Sequence, residues 1–533
     1  MNLVVFEQNK DYIRRSLEKG EIDYLETVSE GAETEFFQYI NTRGLLGHLA
    51  KTYPLKRQKT EVPIWLYIAS DLSLRLHGMQ SFHGYPFVIR TGGLLNALGP
   101  EVGKKVVHPQ SGQVTIHCPG FNKKNKYDRQ TPCDQDWLRK TARATEAEAL
   151  MSWYNQEVPR LLEREKLFSP EGIFIGDASY VFVPDNPHYE GSSVMMFDEH
   201  NHPVDGEKMS REQLKRCRLR RCYKWVELIH TNSRGEFFFF VAMNLRPGKD
   251  HENPILYDLV EKFLQSVKPG TMKWLIVDRG FLDGEWMGHL KKKWQVDTLT
   301  ALRSDMNVLE DARGLLRLAP VEWQDYSPPS KEHPLPVVQP MGIRLMPKRP
   351  RKRPPVEKVV ALNHFTSWTE CPVELTVVLS KQGAKPAWGL VTTAFTQEAP
   401  LLRDLYHLRE SIEERHRQTK VFWDLTKFHS PNFNLVTNQI IFVGLTYTLL
   451  QMQLLSEHHP ELNRLTRRSL LHQMLPYDNH IVVYSKQYYG FFDAPEYTEC
   501  VMTVEEPGKS KLLRKVRRIR RDFLSGLKWP RGP

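Results

Sequence analysis

A chain of 533 residues is too long to close around one hydrophobic core, so roughly two to four domains are expected. Forty per cent hydrophobic and 26% charged residues make a soluble globular composition, and six scattered cysteines exclude a disulfide-stapled secreted scaffold. The net charge of +11 favours a polyanionic partner, although a merely basic surface gives the same total.

The N-terminus, MNLVVFEQNKDYIRR, has acidic residues close behind a short apolar start and no run of signal-peptide length. With reduced cysteines, this fits a cytoplasmic location, and no membrane is expected. Residues 1–165 read as mainly helical. Ile64–Leu76 is one apolar helix, and Gly92 to Gly99 frames a short second one, a pairing compatible with a helix-turn-helix DNA module. Gly120 to Arg129 is a polar basic loop, followed by helix through about Arg164.

From about residue 172 the period changes. Strands are expected over Gly172 to Val183, Trp225 to His230 and Glu236 to Met243, with a turn Asn232 to Gly235 between the last two. A helix over Pro254 to Val267 leads to a buried strand, Met272 to Asp278, then a helix from about Asp283 to Lys293 and a strand Val296 to Leu302. This order describes a mixed α/β sheet with acids at strand positions. Residues 304–397 form a β-rich stretch holding a charged Pro-rich segment, Pro347 to Pro355. The stretch Tyr406 to Lys420 is Leu/Glu/Arg-rich helix without Pro or Gly, and an apolar helix, Leu435 to Leu455, reads as soluble core rather than membrane span. Lys509 to Arg521 ends the chain as a basic amphipathic stretch.

Three carboxylates stand out. Asp177 sits in the middle of a β-rich run, either as a turn former or as a ligand. Asp278 closes an almost wholly apolar strand, where an acid is costly unless paired or liganded. Asp283, just after, reads as a helix N-cap. Glu413 lies on the later helix. At about 100° per residue, Tyr406, Arg409, Glu413 and Lys420 fall within about 60° of one another, with Arg417 close to the same stripe. Two strand acids and one helix acid suit two Mg²⁺ ions about 3.5–4 Å apart, while neighbouring cations suit a phosphate backbone.

Tyr406-x2-Arg409-x3-Glu413-x6-Lys420 resembles, without a gap, the Tyr-Arg-Glu-Lys signature of bacterial cut-and-paste insertion-sequence transposases of the DDE type. Gly176-Asp177-Ala-Ser is similar to that family's first-acid motif, and Val277-Asp278-Arg-Gly to its second. The resemblance covers roughly 170–455. It implies an α/β, RNase H-like catalytic core (166–303 and 398–460) interrupted by a β-rich insertion (304–397); outside it, the residues themselves suggest a mainly helical DNA-binding N-terminal region (1–165) and a helical basic C-terminal region (461–533) for dimerisation or DNA contact. It further implies that Asp177, Asp278 and Glu413 bind two Mg²⁺ ions, for which Mn²⁺ substitutes. Tyr406, Arg409 and Lys420 would contact transposon-end phosphates; Arg417, from its place beside the stripe rather than from the signature, is a candidate further phosphate ligand. Trp388 is similar to the tryptophan that stacks on a flipped base during hairpin formation, though a core tryptophan fits the same strand. The implied activity is strand cleavage and strand transfer at terminal inverted repeats of double-stranded DNA, by a homodimer that pairs two ends. A nuclease or resolvase on the same core, or a catalytically silent DNA-binding derivative, are the alternatives. A glycoside hydrolase explains neither the cations nor the charge.

Overall fold

The computed structural model describes residues 7–22, 24–28, 31–55, 63–85, 104–107, 114–117, 135–318, 320–328, 356–383, 387–459, 480–486 and 488–526. The helix expected at Gly92 to Gly99, the basic loop 120–129 and the Pro-rich segment 347–355 lie outside the described residues. The chain divides into two compact units. One comprises Leu162–Tyr180 and Lys224–His416; the other comprises Met1–Leu161, Val181–Tyr223 and Arg417–Pro533.

The first unit is built on a mixed sheet. Its elements in chain order are β1 (Ile173–Val183), β2 (Arg218–Thr231), β3 (Phe239–Pro247), α1 (Glu252–Ser266), β4 (Trp274–Val277), α2 (Gly284–His289), β5 (Asp297–Ala301), α3 (Asn307–Leu318), β6 (Gln324–Tyr326), β7 (Glu357–Phe365), β8 (Leu375–Gln382), β9 (Trp388–Thr392) and α4 (Ala399–Arg417). The last three residues of β1 and the first six of β2 count with the other unit. The sheet order is β6-β7-β8-β9-β5-β4-β1-β2, with β3 paired to β2. β4 runs parallel to both β1 and β5, so it is enclosed on both edges. Its apolar run Leu275, Ile276 and Val277 is buried, as a central parallel strand requires.

α1 carries buried Leu256, Leu259, Val260, Phe263 and Leu264, spaced as one helical stripe, and lays it on the sheet. Phe263 meets Phe174 of β1 at 5.0 Å between ring centroids. Each such apolar side chain contributes roughly 2 kcal/mol on burial.

The stretch 304–397, expected as β-rich, opens with a helix, α3, and its strands extend the sheet. β9 joins the edge of β5 antiparallel, pairing Leu299 with Thr392 and Ala301 with Leu390. α3 buries Val308, Leu309 and Ala312 against Leu375, Val377 and Leu379 of β8, giving the extension its own core. Edge pairing between strands distant in sequence leaves no local pattern, so the sequence showed strands but not their partner.

In the second unit, Phe433–Ser456 is the apolar helix read from the sequence. It is long and apolar enough to cross a membrane, but 83% of its apolar window is buried within the protein. It packs against Ile64–Leu76, Gln135–Ala144 and Gly31–Thr42. A polar cluster lies between the helices: Arg75 Nη2 stands 2.6 Å from Asp71 Oδ1, and Asn438 donates to Asp71 Oδ2 at 2.7 Å. The mainly helical reading of residues 1–165 holds only in part. Strands Glu7–Gln8 and Tyr24–Val28 join C-terminal strands His480–Ser485 and Tyr488–Phe492 in a four-stranded sheet. The helix Glu506–Gly526 closes this module, burying Leu512 with Ile13, Leu17, Val483 and Phe492. It approaches through a glycine pair: a Cβ on Gly20, at φ +64°, would lie 2.4 Å from the Gly508 carbonyl oxygen. Residues 7–28 and 480–526 therefore pack as one module. None of the described cysteines Cys217, Cys222, Cys371 and Cys500 is in a disulfide.

Candidate active site

Asp177 and Asp278 come together through strand register. β1 and β4 are parallel neighbours with Gly176 opposite Val277, so the next residue on each chain, Asp177 and Asp278, stands at the same level. Adjacent strands are about 4.8 Å apart, and residues in register on parallel strands project to the same face. Gly176 itself lets α1 pack close on this strand, because a Cβ there would lie 2.8 Å from Cδ2 of Leu256. Asp278 is extended and caps a 3₁₀ turn, Arg279–Phe281, with Oδ1 accepting from the Arg279 N–H at 2.8 Å. The turn-forming role and the paired placement thus coexist in one residue. Asp283 is the N-cap of α2, as expected, accepting from the Trp286 N–H at 3.0 Å.

Asp177 is partly buried. Burial pushes its carboxyl up to about 6; His416 and Arg409 pull it down, and Glu227 pushes it further up. A carboxylate in this setting needs positive charge.

α4 supplies part of that charge. The Arg409 guanidinium stands 4.0 Å from Asp278 Oδ1 and 5.6 Å from the centre of the Tyr406 ring. Tyr406 is 7% exposed, and burial raises its phenol above the ordinary range, so it lies under Arg409 more than beside solvent. Glu413, one turn beyond Arg409, is exposed. Of the neighbouring glutamates, Glu410 pairs with His407 at 3.0 Å along the same helix. Trp388 opens β9 and is 37% exposed. Its ring lies 6.4 Å from that of Tyr406 and 5.1 Å from the Arg403 guanidinium. Arg403 is itself fixed by Glu357 at 2.9 Å.

Arg417 and Lys420 belong to the second unit. The α-helix ends at Arg417, and Lys420 sits in a π-helical turn, Gln418–Phe422. The π turn departs from the 100° step on which the stripe was drawn.

One pair escaped the sequence reading. Glu227, fully buried in β2, is in contact with Nε2 of His416 on α4. The His416 ring also lies 5.8 Å from that of Trp225. The signal was present: an acid inside the apolar run Trp225-Val-Glu-Leu-Ile-His, and a histidine three residues past Glu413. Neither means much until the two elements meet.

Among the described residues, no group of three His, Cys, Asp or Glu side chains stands close enough to hold a metal ion. The chemistry of the donors nevertheless fits a hard divalent cation. Asp177 and Asp278 offer carboxylate oxygens at one level of the sheet, and Glu413 lies one turn from the arginine that reaches Asp278.

Residues 189–449 match the model of the transposase DDE domain family. The matched stretch takes in Asp278, Trp388, Arg409 and Glu413 and begins downstream of Asp177. The match supports a DDE transposase. Among curated proteins, none matches the chain.

Proposed function

We propose that this chain, with its transposase DDE domain, cuts an insertion sequence out of double-stranded DNA at its terminal inverted repeats and joins the ends to a new site. The observation that carries this reading is the level placement of Asp177 and Asp278 on adjacent parallel strands, with Arg409 of the Tyr-Arg-Glu helix reaching Asp278. The strand order β3-β2-β1-β4-β5, parallel across β1, β4 and β5, supports an RNase H-like core.

In this reading Asp177, Asp278 and Glu413 hold two Mg²⁺ ions, and Mn²⁺ substitutes. The ions, when bound, supply the positive charge that activates a nucleophile and stabilises the leaving oxygen in phosphodiester displacement. The chain's own residues do the rest. Arg409 offsets the carboxylates before the ions bind and then turns its charge to a DNA phosphate, a contact that positions without reading sequence. Tyr406 packs under it and limits its swing. Lys420, assigned by the signature, and Arg417, assigned by its place beside the stripe, contact further end phosphates. Trp388, exposed and flanked by Arg403, offers an indole face to an extruded base when a freed 3′ hydroxyl attacks the opposite strand and closes a hairpin. A homodimer pairs the two ends.

The direct test incubates the purified protein with its flanking inverted-repeat DNA and Mg²⁺. Asp278→Asn is expected to abolish end cleavage while still binding the DNA. Cleavage by that variant at the parent rate contradicts the assignment.

A further inference from the structure

Buried acids inside apolar strands are costly, and proteins keep them where a partner repays the desolvation. Glu227 is such an acid. It lies on β2, the strand next to β1, which carries Asp177, and its partner His416 comes from α4, which carries Arg409 and Glu413. On the wheel, Arg409, Glu413 and His416 occupy positions i, i+4 and i+7, within about 60° of one another. The contact made by His416 therefore sets the direction in which the Glu413 face points. The flanks of the same turn are fixed as well: Ile412 is fully buried, and the Arg415 guanidinium lies 4.6 Å over the Phe238 ring. Trp225, stacked on Phe240 at 5.6 Å, backs the His416 ring.

We propose that Glu227 and His416 are positioning residues of the carboxylate site, a buried acid–imidazole tie that fixes the rotation of α4 on the sheet and with it Glu413 and Arg409. This rests on the carboxylate-site reading above. The tie acts by geometry and by charge. His416 and Glu227 both bear electrostatically on Asp177, in opposite senses, so losing either partner changes the field at the first acid as well as the aim of the third.

The test titrates Mn²⁺ into the purified full chain without DNA, following water-proton relaxation, and records thermal melting in parallel. His416→Phe keeps a ring of similar size but removes the donor to Glu227; a Gln side chain places an amide N–H close to where the imidazole Nε2 stood. His416→Phe is expected to weaken Mn²⁺ binding about tenfold, the usual scale for outer partners of metal ligands, whereas His416→Gln stays within about twofold of the parent. A folded His416→Phe with parental Mn²⁺ affinity overturns the proposal and leaves an ordinary structural ion pair. If His416→Phe does not fold, Glu227→Gln is read the same way: a loss of about threefold or more supports the tie, and parental affinity overturns it. Asp278→Asn serves as the reference. Parental Mn²⁺ binding by that variant shows that the underlying carboxylate-site reading has failed, a result distinct from failure of the tie.

Discussion

At the scale of single residues, a buried and a half-buried group with opposite pH behaviour make the site unit testable without DNA. His230 donates through Nδ1 to the Ile173 carbonyl at 2.9 Å and accepts at Nε2 from the Ser169 N–H at 2.9 Å. Burial pushes its ring from 6.5 to about 4, so it favours the folded state above pH 6.5, and that contribution is lost as pH falls towards 4. The loss is on the order of 3 kcal/mol. Asp177 has the reverse sign: its raised value favours folding below the ordinary carboxylate range, and the contribution fades as pH rises through about 6. In denaturant titrations between pH 4 and 7, His230→Gln should flatten the acid-side loss seen in the parent. Identical slopes in parent and variant would refute the assignment. Residues of this kind differ in how legible they are. Asp278 was visible because an acid ends an apolar run, whereas Glu227 and His416 lie 189 positions apart and share no spacing rule.

At the scale of elements, β1 and α1 depend on each other through one missing methyl group. Gly176→Ala would press into Leu256 and is expected to cost about 1–3 kcal/mol by overpacking, measured by urea unfolding. A neutral result would mean that α1 can withdraw from the strand. The end of α4 shows where periodicity reasoning stops: the α-helix runs to Arg417, and Lys420 then lies in the π turn Gln418–Phe422, where the 100° step no longer applies. A backbone switch from α to π is set by packing and capping, so a residue count cannot see it. For Trp388, exposure at the start of β9 gives a specific expectation: Trp388→Ala should impair hairpin closure while sparing the first nick, resolved on denaturing gels of labelled end DNA. A uniform loss of both steps would point to a folding defect.

At the scale of the whole molecule, the alternation of strands and helices from 172 to 302 was legible because apolar runs and turn residues are local. The destination of strands β6 to β9 was not, nor was the sheet shared by residues 7–28 and 480–492, because pairing across such separations is decided by burial in the finished fold. The family match covers 189–449 and supports a transposase; the joining of DNA ends is what separates that activity from simple cleavage on the same core. The decisive measurement supplies a pre-cut inverted-repeat end with a free 3′ hydroxyl, Mg²⁺ and a supercoiled target plasmid, and scores covalent joining by the parent, Asp177→Asn, Asp278→Asn and Glu413→Gln. Joined product from the parent and none from the three variants is the expected outcome. Pre-cut ends left unjoined by the parent, or joining by any of the variants, would contradict it.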